Sequence, residues 1–180
     1  MPLTTDAPRL FLAFPADKLT VSLNQLQDQL ALPGRRILSH QFHLTLRFLG
    51  PLTDTQSTSL LKQLPQMQLP SFELPLNQLG CFTRANVVWI GTDQVPEALM
   101  SLYQEINNRC GSLKLGPPHK AYRPHITLFR HPCLPELPAI TPIIYRPTKL
   151  CLYRSMPNEQ GPHYEILESW ELNGKQNCQR

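Results

Sequence analysis

No apolar run in the 180-residue sequence approaches the roughly 18 residues that a membrane-spanning helix requires. RLFLAFPADK, near the start, lacks the longer apolar core and small-residue cleavage site of a secretory signal, so a soluble, cytoplasmic protein with no membrane partner is expected. Glycine is scarce, and neither GxGxxG nor GxxxxGK(S/T) occurs, which argues against nucleotide binding through a glycine-cradled phosphate. The five cysteines, Cys81, Cys110, Cys133, Cys151 and Cys178, are odd in number, widely spread and without a CxxC pair. Neither a disulfide framework nor a zinc ribbon is expected from them; they read as free, buried or harmless thiols. HExxH is absent too, and His40 and His43, three apart on a strand, point to opposite faces, so neither a metal nor any other cofactor is expected.

What remains is a chain long enough for one core, or for two small lobes sharing an interface. Its net charge of +4 permits an anionic partner such as RNA but is far below that of a nucleic-acid coat or a polybasic tail. RLFLAF, at 9 to 14, has strand length, and LTVSLNQLQDQL behind it spaces leucines at helical intervals. HQFHLTLRFLG reads as a second strand, with Thr53 or Asp54 capping a helix through SLLKQL. FELPLNQLG and NVVWIGT read as strands separated by CFTRA, and VPEALMSLYQEINNRC as an amphipathic helix stopped by Gly111. YRPHITLFR is another strand, followed by a proline-dense surface connection from Pro132 to Pro147. TKLCLYRS and HYEILESWEL finish the strands, and the last residues, 172 to 180, form a loose tail of a single 1–180 domain. Short strands interrupted singly by helices, without a fixed repeat, predict an α+β protein rather than a doubly wound sheet.

One pattern occurs twice. HLTL at 43 to 46 and HITL at 125 to 128 share the order histidine, aliphatic, threonine, aliphatic. With six histidines and twelve threonines, a single HxT arises by chance on the order of once every two or three such sequences. Two copies, each inside a strand-like run with aliphatics in the alternate slots, are another matter. Strand side chains alternate, so His43 and Thr45 share one face and His125 and Thr127 share another, each strand keeping an apolar back. Two histidines facing each other across a cleft supply a base and an acid for in-line displacement at phosphorus, and the threonine hydroxyls donate to phosphate oxygens. No metal needs to be invoked.

With these motifs, RLFLAF, HLTLRFLG, NVVWIG, RPHITLFR and HYEILESWEL, the sequence resembles the 2H phosphoesterases, in particular the bacterial RNA 2′,3′-cyclic phosphodiesterase branch, also called 2′-5′ RNA ligase. The resemblance implies a bilobal fold with two pseudo-symmetric antiparallel sheets backed by helices, each giving one HxT to a central groove. It also implies an enzyme that opens 2′,3′-cyclic phosphodiester ends of RNA, or cyclic nucleotides, to 2′-phosphomonoesters, with His43 as proton donor, His125 as proton acceptor, and Thr45 and Thr127 beside the phosphate. A monomer is expected. Alternatives are 2′-5′ RNA ligation, action on another small cyclic or 2′-5′ linked nucleotide, or a noncatalytic RNA-binding module.

Substrate-binding candidates lie around the motifs. Phe48 and Arg130 match positions where this branch tends to hold an aromatic and a basic residue, yet strict pleat counting sends both to the face opposite the histidines. Only a twist or bulge brings them round. Arg47 and Phe129 have the right parity and stand as their rivals. Tyr122 follows Lys120 and Ala121 where the family writes arginine and proline, which keeps a charge but loses the planar fork. Arg35, Arg36, Lys120 and Arg123 together can form a basic rim that guides an RNA end, but each read singly is solvated surface charge; Trp89 and Trp170 read as core.

Overall fold

The computed structural model describes residues 9–116, 118, 121–158 and 161–173. The elements run β1 (Arg9–Pro15), α1 (Thr20–Leu30), β2 (Arg35–Arg36), β3 (His43–Gly50), α2 (Asp54–Gln63), β4 (Leu74–Leu76), β5 (Gln78–Phe82), β6 (Val87–Gly91), α3 (Glu97–Ser112), β7 (His125–Arg130), β8 (Ile143–Tyr145), β9 (Lys149–Met156) and β10 (His163–Glu171). The strands follow the order β10-β9-β1-β3-β7-β6-β5, with β2 added to β7, and β4 pairs apart with β8. β3 and β7 meet only at the pair Leu44 and Ile126. The fold is therefore two antiparallel half-sheets, β10-β9-β1-β3 and β7-β6-β5, hinged at one point.

The halves are built alike. In one, β1 leads through α1 to its neighbour β3; in the other, β6 leads through α3 to its neighbour β7. Each helix packs across the join, α1 against β7 and α3 against β3, which locks the two motif strands together from behind. Burial explains RLFLAF as an unbroken apolar run: Leu10, Leu12 and Phe14 enter the main core, while Phe11 and Ala13 enter a second cluster with Cys151 and Tyr153 on the opposite face. A strand covered on both sides has no solvent face to make polar.

Several expectations need adjusting. Thr53 caps α2 through a box with Gln56, as the sequence reading has it. α3, however, runs past Gly111, and the left-handed residue that ends it is Lys114, with φ 56°. FELPLNQLG is two strands rather than one, β4 turning away to pair with β8. The proline-dense connection is held at both ends, by Tyr145, whose hydroxyl donates to the Pro15 carbonyl (3.0 Å), and by Cys133.

That second anchor corrects the reading of the cysteines. Cys81 and Cys133 form a disulfide, with Cα atoms 5.6 Å apart. Cys81 lies on β5 opposite Val88, which in turn lies opposite Phe129, so the sheet carries Cys133, just past β7, toward it. The His131 amide donating to Asn86 (2.9 Å) turns the chain that way. Cys110 and Cys151 are free and buried, and Cys178 lies outside the described residues. The tail also starts later than expected, because the amides of Leu172 and Asn173 donate to Thr148 and Leu69 (2.8 and 2.7 Å). Residues 174–180 lie outside the described residues.

Candidate active site

The one ladder pair that joins the half-sheets among the described residues is also the centre of the site. Leu44 and Ile126, both fully buried, are the aliphatics between histidine and threonine in the two motifs. Continuing their antiparallel register sets His43 across from Thr127 and Thr45 across from His125. The histidines are thus diagonal neighbours on one face, a relation that separates Cβ atoms by about 7–8 Å in a regular pair. His43, Thr45, His125 and Thr127 all line one cavity of about 410 Å³.

Both imidazoles are held by the same backbone device. Nδ1 of His43 lies 2.7 Å from the carbonyl of Gln41, and Nδ1 of His125 lies 2.7 Å from the carbonyl of Arg123, each two residues upstream. A carbonyl only accepts, so each Nδ1 carries the hydrogen and each Nε2 is the nitrogen left for chemistry. Aromatic rings fix the remaining freedom. His43 packs against Phe11, Tyr153 and Tyr164 at centroid distances of 5.1, 6.0 and 5.2 Å, and His125 against Phe82 and Trp89 at 4.9 and 5.8 Å. Burial pulls the His43 pKa down to about 4; the bond to Gln41 opposes that shift, and the charge of His125 adds to it. Near neutral pH His43 is therefore a neutral imidazole.

Bulges settle the question of parity. Along β1 and β3, Ala13 faces Thr45 but Leu12 faces Arg47, so Leu46 is extra; along β6 and β7, Trp89 faces Thr127 but Val88 faces Phe129, so Leu128 is extra. Each extra residue turns the strand by one position immediately after its threonine. Phe48 and Arg130 therefore swing to the histidine side and line the cavity. Their rivals swing inward. Phe129 is 0% exposed in the core, and Arg47 is 5% exposed, donating through Nη2 to the Gly116 carbonyl and contacting the Cys110 thiol; it is absent from the lining of the catalytic cavity but lines a second one beside it. The strict pleat count for these two fails for that reason.

Tyr122 stands behind β3 rather than inside the catalytic cavity. It stacks on Tyr103 (4.2 Å, interplanar 8°), and its hydroxyl donates to the Thr45 carbonyl at 3.1 Å, bracing the motif strand. It also lines a second, more apolar cavity of about 590 Å³ with Phe82, Ala85 and Val87. The two cavities share Thr45, Phe48, His125, Thr127 and Arg130, so one groove runs through the site.

The fold adds Arg9 and Tyr164 to the residues the sequence singles out, and places Arg35, one of the rim candidates, in the site. Arg9, Arg35 and Tyr164 line the catalytic cavity from β1, β2 and β10. Alternation along RLFLAF and HYEILESWEL marks faces, but nothing local says which face meets the motifs. Arg36 is turned to α1, paired with Asp28 at 2.6 Å, and Arg123 reaches only the second cavity. Trp89 is buried as expected, although it also walls His125; Trp170 packs on the core. His40, His131 and His163 do not line the cavity, while His119 and Lys120 lie outside the described residues.

The chain is similar to known proteins. The family model described as the 2′-5′ RNA ligase superfamily matches residues 15–154. An RNA 2′,3′-cyclic phosphodiesterase of Aeropyrum pernix is 26% identical over 161 residues, covering 81% of this chain and 92% of that protein. One of Escherichia coli (strain K12) is 29% identical over 143 residues, covering 77% and 80%. The crystal structure of E. coli LigT complexed with 3′-AMP superposes with a TM-score of 0.80 at 27% identity, covering 94% of this chain and 99% of that one.

Proposed function

The chain belongs to the 2′-5′ RNA ligase superfamily, and we propose that it hydrolyses 2′,3′-cyclic phosphodiester ends of RNA, and cyclic nucleotides, to 2′-phosphomonoesters. The observation that carries this reading is the pair of pinned imidazoles, each with Nδ1 committed to a backbone carbonyl, on two residues that line one cavity together with both threonines and Arg130. His125 Nε2 takes a proton from water as the water oxygen bonds to phosphorus. The bond from phosphorus to the 3′ oxygen breaks on the far side, and His43 Nε2 gives that oxygen its proton. Thr45, Thr127 and Arg130 face the charge that builds on the nonbridging oxygens, where donors fixed in advance stabilise a transition state most.

To act as donor, His43 takes up a proton from solvent as the substrate binds. Burial keeps the ring neutral near pH 7, and an anionic phosphate seated beside it offsets the burial and the repulsion from His125. The neutral form of His43 also supports a second order of roles, in which His43 activates water and His125 is the donor. Product identity tells which bond breaks. Adenosine 2′,3′-cyclic phosphate incubated with the protein and a chelator is expected to give adenosine 2′-monophosphate; the 3′ isomer would mean that the 2′ oxygen leaves instead. Absence of any product defeats hydrolysis and leaves an RNA-binding groove.

A further inference from the structure

We propose that Gln41 is a positioning residue, whose side chain ties the turn between β9 and β10 to the carbonyl that orients His43. The inference rests on the hydrolytic reading above. Gln41 ends the short 3₁₀ turn Ser39–Gln41, two residues before the first motif histidine, and is 8% exposed. A buried amide is costly unless its donor and its acceptor are both bonded. Here both are. Oε1 accepts from the Leu38 amide (3.3 Å), and Nε2 donates to the Pro162 carbonyl (2.9 Å). The main-chain carbonyl of the same residue accepts the Nδ1 hydrogen of His43 at 2.7 Å. Gln41 and Pro162 both line the catalytic cavity.

The bond to Pro162 spans 121 residues of chain. In the sheet, β9 and β1 stand between β10 and β3, so no ladder joins this turn to the motif strand; the Gln41 amide does. Two residues past Pro162, Tyr164 packs edge-on against the imidazole with centroids 5.2 Å apart. One segment therefore grips the ring directly and, through Gln41, the carbonyl behind it. The two grips act differently. Contacts with Phe11, Tyr153 and Tyr164 confine the plane of the ring, whereas a carbonyl held in place selects Nδ1 as the edge that donates and leaves Nε2 for the proton that moves. A carbonyl that drifts admits the other tautomer and another tilt, and a misplacement of about 1 Å at a reacting group costs on the order of 10²-fold in rate. The corresponding carbonyl behind His125 belongs to Arg123, an exposed residue, so the buried amide is particular to the first motif.

Gln41→Met keeps the length of the side chain and removes both of its bonds, while Gln41→Asn keeps a buried amide that is too short to span them. Gln41→Asn carries the test if Gln41→Met does not fold. Nuclear magnetic resonance of isotope-labelled imidazoles at pH 7 should show wild-type His43 as one tautomer, with its hydrogen on Nδ1, and the variants as a mixture of two. On adenosine 2′,3′-cyclic phosphate each variant should lower kcat by roughly 10- to 100-fold and change KM by less than about twofold. In a His43→Ala background Gln41→Met should change kcat by no more than about twofold, because a positioning residue acts only through the group it positions. Ser39→Ala, which cuts the bond from the same turn to Asn24 of α1 (3.0 Å), should leave the tautomer and kcat as in wild type. A single Nδ1–H tautomer in the Gln41 variants, a raised KM with kcat unchanged, a further loss of about tenfold in the His43→Ala background, or an equal loss from Ser39→Ala overturns the assignment while leaving hydrolysis standing. No turnover by wild type overturns the hydrolytic reading itself, and the catalytic role of Gln41 with it.

Discussion

On β3 the imidazole of His43 is enclosed by Phe11, Tyr153 and Tyr164, whereas on β7 that of His125 rests on Phe82 and Trp89, and its anchoring hydrogen bond lies open to solvent. The backbone beneath them is the same: an upstream carbonyl two residues back, a threonine two residues on, then a bulge that turns the third residue past the threonine into the groove. That re-aimed residue is Phe48 on one side and Arg130 on the other. The duplicated framework places atoms, and the walls and the re-aimed side chain divide the chemistry. One half is drier and aromatic, the other more open and cationic.

If the halves are equal partners in proton transfer, neither histidine can be dispensed with despite their different surroundings. His43→Ala and His125→Ala should each lower kcat on adenosine 2′,3′-cyclic phosphate by about 10²- to 10⁴-fold. Residues acting as one unit lose little more when removed together, so the double variant should be nearly as active as the worse single one. Circular dichroism should show each variant folded. Near-full activity in either single variant breaks the equivalence of the two strands.

The unequal walls have a consequence for stability that the shared backbone does not. His43 titrates at about 4 in the fold against an ordinary value of 6.5, so between those values the unfolded chain binds more protons than the folded one. Stability therefore rises with pH across that window and is lost as pH falls through it. For 2.5 units the loss is about 3 kcal/mol. Unfolding in urea at pH 7 and pH 4 should show His43→Gln losing about that much less than wild type. Equal losses in both proteins would mean that the aromatic enclosure does not hold the ring neutral.

How much of this asymmetry was readable beforehand depends on the range of the signal. The four motif residues were legible because Leu44, Leu46, Ile126 and Leu128 mark the buried faces of their strands within four residues. The α+β class followed from the order of strands and helices, and the two half-sheets from the resemblance to the 2H phosphoesterases. Parity beyond the threonines was not legible, since Leu46 and Leu128 are ordinary strand residues and only the partner's register reveals that one is extra. The disulfide escaped for a similar reason: Cys81 and Cys133 are 52 residues apart and become neighbours through β6, which contains no cysteine. Arg9, Arg35 and Tyr164 reach the groove through pairings of β1, β2 and β10 that leave no mark near the motifs.

The bulges themselves offer the finest test of the division of labour. A guanidinium meeting charge that grows on phosphate acts mainly in the transition state, whereas an aromatic ring under a base binds ground state and transition state alike. Arg130→Gln should therefore lower kcat by roughly 10- to 100-fold, the worth of a hydrogen bond to a charged group. Phe48 is 56% exposed at the junction of the two cavities, where a base can stack on it. Phe48→Leu should raise KM by about 5- to 20-fold, the lower part of the range for lost stacking, with kcat little changed. The contrast lies in the split between the two constants. A kcat effect from Phe48 and a pure KM effect from Arg130 would invert the roles assigned to the two halves, and equal effects on both constants would mean that the bulges supply only shape.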